Sequence, residues 1–319
     1  MNSFTSNSKM KRALLFAVSA VLLLYVMRKV EYYGIRRNQS GEFAKLRVSF
    51  LEHNNYDILF LGSSRAEGQF YCPVIDSATG LKSYNLGMTG AVMPLIASSL
   101  EAYLVHSDAP KHVVVNLDIH STSDNPDTVF NFPRYFAYLE NEKLFQGLQE
   151  RDQRFTLFKW LPFYSMPYYS DRYLNASLRG LLGKKSLYDD DYVSGFAPST
   201  RDYSRGDIDT MTIPKVKSSP TDYIDEGLKK INLICRSRNI NLIVVVTPLF
   251  HRMYDRVENY NEMVKRYSDF CSRRYIHFID LSHDSVSNNP NLYSDPAHLS
   301  KDGALTFTRH FSVTLQQYL

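Results

Sequence analysis

A three-layer α/β/α domain built on a parallel sheet is the fold class that this sequence predicts, and two observations predict it. Strand-like and helix-like segments alternate at both ends of the chain. Two of the strand-like runs, H-V-V-V-N-L-D at His112–Asp118 and N-L-I-V-V-V-T at Asn241–Thr247, are almost unbroken apolar and β-branched residues. That pattern suits strands covered on both faces.

The strand-like runs are Asp57–Gly62, Ser83–Gly87, His112–Asp118, Asn241–Thr247 and Ile276–Leu281. Helical patterns follow the second run (Pro94–Leu104) and precede the fourth (Pro220–Arg238, with Ser219 or Thr221 as cap). Two more lie between the last two runs (Arg252–Arg274) and at the chain end (Lys301–Leu319). The alternation breaks at about 122–217, a stretch dense in Tyr and Phe that also holds Trp160. It reads as an insertion rising from the C-terminal edge of the sheet. Its aromatics suit either a substrate-binding lid or a cap packed on the main domain.

The N-terminal end has a different character. Ala13–Met27 is uncharged and apolar, with Lys9, Lys11 and Arg12 before it and Arg28 and Lys29 after it. The run is shorter than the roughly 20 residues of a full span, and flanking basic side chains can snorkel to lengthen it. No small-x-small cleavage site follows, so a retained anchor is expected rather than a cleaved signal peptide. The expected organisation is a basic tail and transmembrane signal anchor at 1–30, a juxtamembrane linker at 31–50 and the α/β domain at 51–319. Arg36, Arg37, Lys45 and Arg47 make the C-terminal flank the more basic, which by charge alone would put the domain inside. The short basic tail before a first apolar helix is instead the signal-anchor form.

Composition excludes little. The net charge of +4 over 319 residues does not suit a dedicated nucleic-acid binder. Cys72, Cys235 and Cys271 match no metal-binding spacing and read as small buried residues.

Two short blocks carry the chemistry. The first strand run leads into L-F-L-G-S-S-R-A-E-G, residues 59–68, which sets a serine at a strand-to-helix turn where a nucleophile is exposed. Near the other end, Y-S-D-P-A-H-L-S-K-D-G places Asp295 three residues before His298. One short loop can then supply both a general base and the acid that orients it.

Together the blocks resemble the SGNH or GDSL hydrolase family, over about Asp57–Ser121 and Asn241–Leu319. The family's Gly-Asp-Ser block corresponds to Gly62-Ser63-Ser64, with Ser63 in the Asp place. The resemblance implies Ser64 as nucleophile, His298 as base and Asp295 as orienting acid. It implies an oxyanion hole from Ser64 itself and from a glycine in Y-N-L-G-M-T-G, best Gly90 and second Gly87. The third block departs from the family's G-x-N-D: Asn116 comes too early, within the strand, and His120 falls nearest the Asn place.

The resemblance further implies a flavodoxin-like sheet with the triad at its C-terminal edge and chemistry that needs no cofactor or metal. Membrane-anchored members with G-S-S-R-like first blocks imply an extracytoplasmic esterase or O-acyltransferase. Its expected partner is an acylated glycan or other cell-surface polymer, beside cell-envelope assembly proteins. The alternatives are a catalytically silent glycan-binding or scaffold protein of the same fold, and an interfacial lipid esterase.

Overall fold

Five strands form where the apolar runs predict them: β1 (Ile58–Leu61), β2 (Ser83–Asn85), β3 (His112–Asn116), β4 (Asn241–Val246) and β5 (His277–Asp280). The computed structural model describes residues 3–118, 129–161, 164–187, 192–199, 208, 210–215 and 222–319. All four strand pairings are parallel and the order is β2-β1-β3-β4-β5. That is the flavodoxin-like doubly wound order, whose switch point lies between β1 and β3.

The strand runs are apolar throughout because both faces are covered. Along β1, β3 and β4, Leu59, Leu61, Val113, Val115, Val244 and Val246 join one core. Their neighbours Ile58, Phe60, Val114, Ile243 and Val245 join the other. The period-two alternation thus separates two apolar layers rather than a core from solvent. The first layer receives α5 (Met93–Tyr103), α9 (Asp222–Ser237) and α10 (Tyr260–Ser272). The second receives α3 (Ser64–Gln69), α4 (Cys72–Thr79) and α11 (Lys301–Leu315), through Phe70, Ile75, Phe307 and Phe311. All three cysteines are buried and free.

Two expectations need correction. The segment expected as one helix over Arg252–Arg274 is a 3₁₀ turn, His251–Arg256, followed by α10. Val257 between them is extended and buried, so the chain breaks there to bury Met253 and Val257. The stretch 31–50, expected as a linker, is part of the folded domain. It comprises the end of α1 (Ser3–Arg37) and all of α2 (Gly41–Phe50), and Tyr32, Ile35, Phe43, Leu46 and Phe50 lie in the first core. Its charged residues masked this. Glu42 and Lys45 are themselves buried, each beside an oppositely charged partner, so the apolar periodicity was hidden.

The described part of the insertion folds as α6 (Glu142–Arg151), α7 (Arg154–Trp160) and α8 (Asp171–Leu181), with short 3₁₀ turns. It grips the end of α1. Arg36 donates to the Ala137 carbonyl and pairs with Glu140, and Gly34 of α1 meets Ser177 of α8 without room for a Cβ. The preceding part of α1 stands clear: Leu14, Leu15, Phe16, Val18, Leu22 and Leu23 are all exposed. Residues 8–37 form one helix long and apolar enough to cross a membrane, with a mean hydropathy of 2.0 in its most apolar window.

Candidate active site

β1 ends at Leu61, and the chain must turn sharply to begin α3 beside the ends of β1 and β3. Gly62 makes the turn, with φ +151 and no space for a Cβ between Ala66 and Asn116. Ser63 caps α3, accepting the Arg65 N–H, and Ser64 is the first helical residue. The serine thus stands half-buried at the C-terminal edge of the sheet.

The partner loop is a tight two-stranded hairpin of β6 (Tyr293–Asp295) and β7 (His298–Leu299), running into α11. Asp295 holds it closed: its Oδ1 accepts the backbone N–H groups of Ala297 at 2.8 Å and His298 at 2.9 Å. The same carboxylate contacts the His298 ring, with Nδ1 2.9 Å from both oxygens. With Nδ1 donating to the carboxylate, Nε2 is the ring's acceptor, and it lies 2.8 Å from Ser64 Oγ. Ser300 then caps α11 by accepting the Gly303 N–H at 3.2 Å. The three expected triad residues, Ser64, Asp295 and His298, come together although Ser64 lies 231 residues before Asp295 and 234 before His298 in the chain.

Gly90 follows β2 at φ +74 and lines the same cavity as Ser64, with Phe130 packed against it so that no side chain fits there. Gly87, the second choice, does not serve. It is buried, and its N–H is given to Asn85 Oδ1 at 2.9 Å, which fixes the β2 turn instead of facing the cavity. His120, the expected third donor, lies outside the described residues. Asn116 ends β3, as its early position predicts, yet it lines the cavity and donates to Asp118 Oδ1 at 2.9 Å.

Sequence reasoning missed the residues beneath the site. Asp118 sits at the cavity edge and accepts from the Ser63 hydroxyl and from Asn116. Arg65, almost fully buried, reaches Asp118 Oδ1 at 3.3 Å and donates to the carbonyls of Thr247 at 2.6 Å and Pro248 at 2.9 Å. One guanidinium so ties the C-terminal ends of β1, β3 and β4 together. A Ser at position 63 is then intelligible: a carboxylate there would face Asp118, whereas a hydroxyl donates to it. The available signal was an arginine directly after the serine pair, a costly residue to bury without partners.

A second buried network braces the Gly90 turn. Glu67 of α3 accepts the Thr89 N–H at 2.9 Å and pairs with Lys45 of α2 at 2.9 Å. Lys45 also donates to the carbonyls of Gly87 and of Gly195, the latter at 2.9 Å. The segment expected as a linker therefore supports the helix that carries Ser64 directly.

The cavity has a volume of about 180 Å³ and is lined by Ser64, His298, Gly90, Arg65 and Asp118. Ala91, Met93, Ile96, Leu117 and Ile224 form an apolar wall. The insertion's aromatics mostly do not reach it. Phe132, Phe136, Phe155, Phe158, Tyr164, Tyr168 and Tyr169 pack on one another, and Tyr169 meets Tyr32 of α1. Phe130, in the described part of the insertion, packs against Gly90.

No family model and no curated protein matches the sequence. Three solved structures are similar in shape. A protein assigned to the lipolytic G-D-S-L family from Desulfitobacterium hafniense DCB-2 has 12% identity and a TM-score of 0.42, over 81% of this chain and 99% of that one. A protein assigned as an acylhydrolase from Bacteroides fragilis NCTC 9343 has 12% identity and a TM-score of 0.40, over 86% and 92%. A GDSL-like lipase from Bacteroides thetaiotaomicron VPI-5482 has 10% identity and a TM-score of 0.37, over 82% and 87%. On its own strand order, with Ser64, Asp295 and His298 meeting at the C-terminal edge of the sheet, the chain has an SGNH/GDSL-like fold.

Proposed function

We propose that this chain is a serine-dependent esterase or O-acyltransferase of the SGNH type, removing or transferring an acyl group, such as acetyl, on a cell-surface polysaccharide or related polymer. The observation that carries this reading is the 2.8 Å approach of His298 Nε2 to Ser64 Oγ, with Asp295 behind the ring. His298 takes the Ser64 proton as the oxygen attacks the ester carbonyl. The backbone N–H groups of Ser64 and Gly90 receive the oxyanion, and His298 returns the proton to the leaving alcohol. Water or a sugar hydroxyl then releases the acyl group from Ser64. A silent scaffold has no need of an aligned base.

The test is release of acetate from an acetylated polysaccharide, and transfer of labelled acetyl from a small ester to a glycan. Activity that persists undiminished in Ser64→Ala defeats the reading.

The exposed apolar stretch of α1 supports a single membrane anchor, and the family likeness supports an extracytoplasmic domain. The expected result is that the protein stays with membranes through an alkaline carbonate wash and leaves them only in detergent. Release by carbonate contradicts the anchor, and a domain protected from external protease until the inner membrane is lysed contradicts the external placement.

A further inference from the structure

We propose that the underside of the insertion rests on the membrane surface. The leucine face of α8 and the Trp160 corner of α7 form a lipid-contacting collar around the point where α1 leaves the bilayer. This rests on the reading of α1 as an anchor.

The first observation is a length mismatch with no spacer to absorb it. At about 1.5 Å per residue, the run from Ala13 to Met27 covers roughly 22 Å of a hydrocarbon layer about 30 Å thick. Yet the domain begins at once. Arg28 donates to the carbonyls of Phe158 at 3.3 Å and Lys159 at 3.1 Å, and Lys29 pairs with Glu140. On its free side α1 stays apolar beyond the run, through Val30 and Tyr33, both about half exposed. A span of full thickness therefore brings the insertion down to the level of the lipid headgroups.

The second is the direction in which α8 faces. Leu174, Leu178, Leu181 and Leu182 are 47%, 63%, 37% and 70% exposed. At 100° per residue they form one stripe about 100° wide. Contacts with α1 and α2 orient it. The Ala176 carbonyl accepts from Asn38, and Arg172 pairs with Glu42, so that side points away from the anchor. Ser177, about 100° round the helix from Ala176, donates to the Glu31 carbonyl, one turn from the anchor's end. The leucines continue round the helix past Ser177, on the anchor side; Asn175 borders the stripe beside Leu182, and Arg172 and Arg179 lie roughly 110–130° from its middle.

The third is Trp160, 68% exposed at the end of α7 and next to the carbonyls that Arg28 holds. Leu157 and Leu161 flank it, half-exposed, and Lys159 lies 5.5 Å from its ring centre. An exposed Trp beside a lysine and flanked by exposed leucines is the composition of a membrane–water boundary. Lys184 and Lys185 follow α8 and favour anionic headgroups. A second copy is a poorer occupant, because an 11-residue helix offers three turns, well short of a stable interface.

Trp160 is the chain's single tryptophan, so it reports alone. The full-length protein is reconstituted in phosphatidylcholine–phosphatidylglycerol vesicles, with and without lipids brominated near the top of the acyl chain. The expected result is loss of about half the Trp160 emission, as for a boundary tryptophan. An environment-sensitive dye on Leu178→Cys, labelled selectively because the native cysteines are buried, is expected to be quenched likewise and blue-shifted. If neither probe is quenched while the protein resists carbonate extraction, the collar is overturned and the anchor stands. If carbonate extracts the protein, the anchor reading fails and the collar with it. Cross-linking of Leu178→Cys to a second copy, with no quenching, gives the leucine face to a dimer and overturns the proposal.

Discussion

Ser64→Ala and His298→Ala are each expected to lower ester turnover by about 10⁶-fold, with the double variant no worse than either, because the pair acts as one unit. Their folds should survive. Ser64 Oγ bonds only to His298 among the described residues, and His298 is 24% exposed on its side chain, so unfolding free energies should move by no more than about 0.5 kcal/mol. Asp295→Asn is expected to cost about 10⁴-fold. An amide oxygen can still accept the N–H groups of Ala297 and His298 that close the hairpin, but the carboxylate that fixes the imidazole is gone. Steady-state hydrolysis of a small acetyl ester, with urea unfolding alongside, checks all three. A Ser64→Ala variant that keeps a hundredth of the activity would move the nucleophile elsewhere.

The second large effect is on stability. Glu67→Gln should destabilise the protein by about 3–5 kcal/mol, because it leaves the Lys45 ammonium buried without its counter-charge. The effect should carry a pH signature. Burial by itself would raise the Glu67 carboxyl, but Lys45 and the Thr89 hydrogen bonds outweigh burial and hold it below its ordinary 4.5. A depressed carboxyl contributes stability that is complete above the unfolded value and is lost as pH falls through the folded one. The advantage of the native chain over Glu67→Gln should therefore be flat near neutrality and shrink as the solution is acidified below pH 4.5. Urea unfolding of both proteins across that range measures it; a difference under about 1 kcal/mol at neutral pH contradicts the pairing. Because Glu67 also holds Thr89, beside Gly90, some loss of turnover is expected as well.

The sheet was legible because its strands are buried on both faces, so β3 and β4 read as continuous β-branched runs whatever surrounds them. The meeting of Ser64, Asp295 and His298 was legible because hydrogen-bond chemistry restricts such a chain of contacts to few residue types, and because Asp295 and His298 share one hairpin. What was hidden is what the fold brings together from afar. Lys45 and Glu42 look like the solvated face of a linker helix until Glu67 and Arg134 meet them in the core. Gly87 and Gly90 stand in the same short block. The bond from Gly87 N–H to Asn85 marks the structural glycine, and the φ of +74 at the cavity lining marks Gly90. The insertion's aromatics suited a lid or a core equally by composition, and their mutual packing, with Tyr32 of α1 as an outer member, settles most of them as core.

The central claim is that Ser64 is a nucleophile activated by His298. Labelling the intact protein with a fluorophosphonate and locating the adduct by peptide mass spectrometry tests it most directly, since the reagent needs an activated serine and no knowledge of the substrate. The account predicts one adduct, on Ser64, abolished in His298→Ala and strongly slowed in Asp295→Asn. An adduct on Ser63, or no adduct on a folded protein, would contradict it.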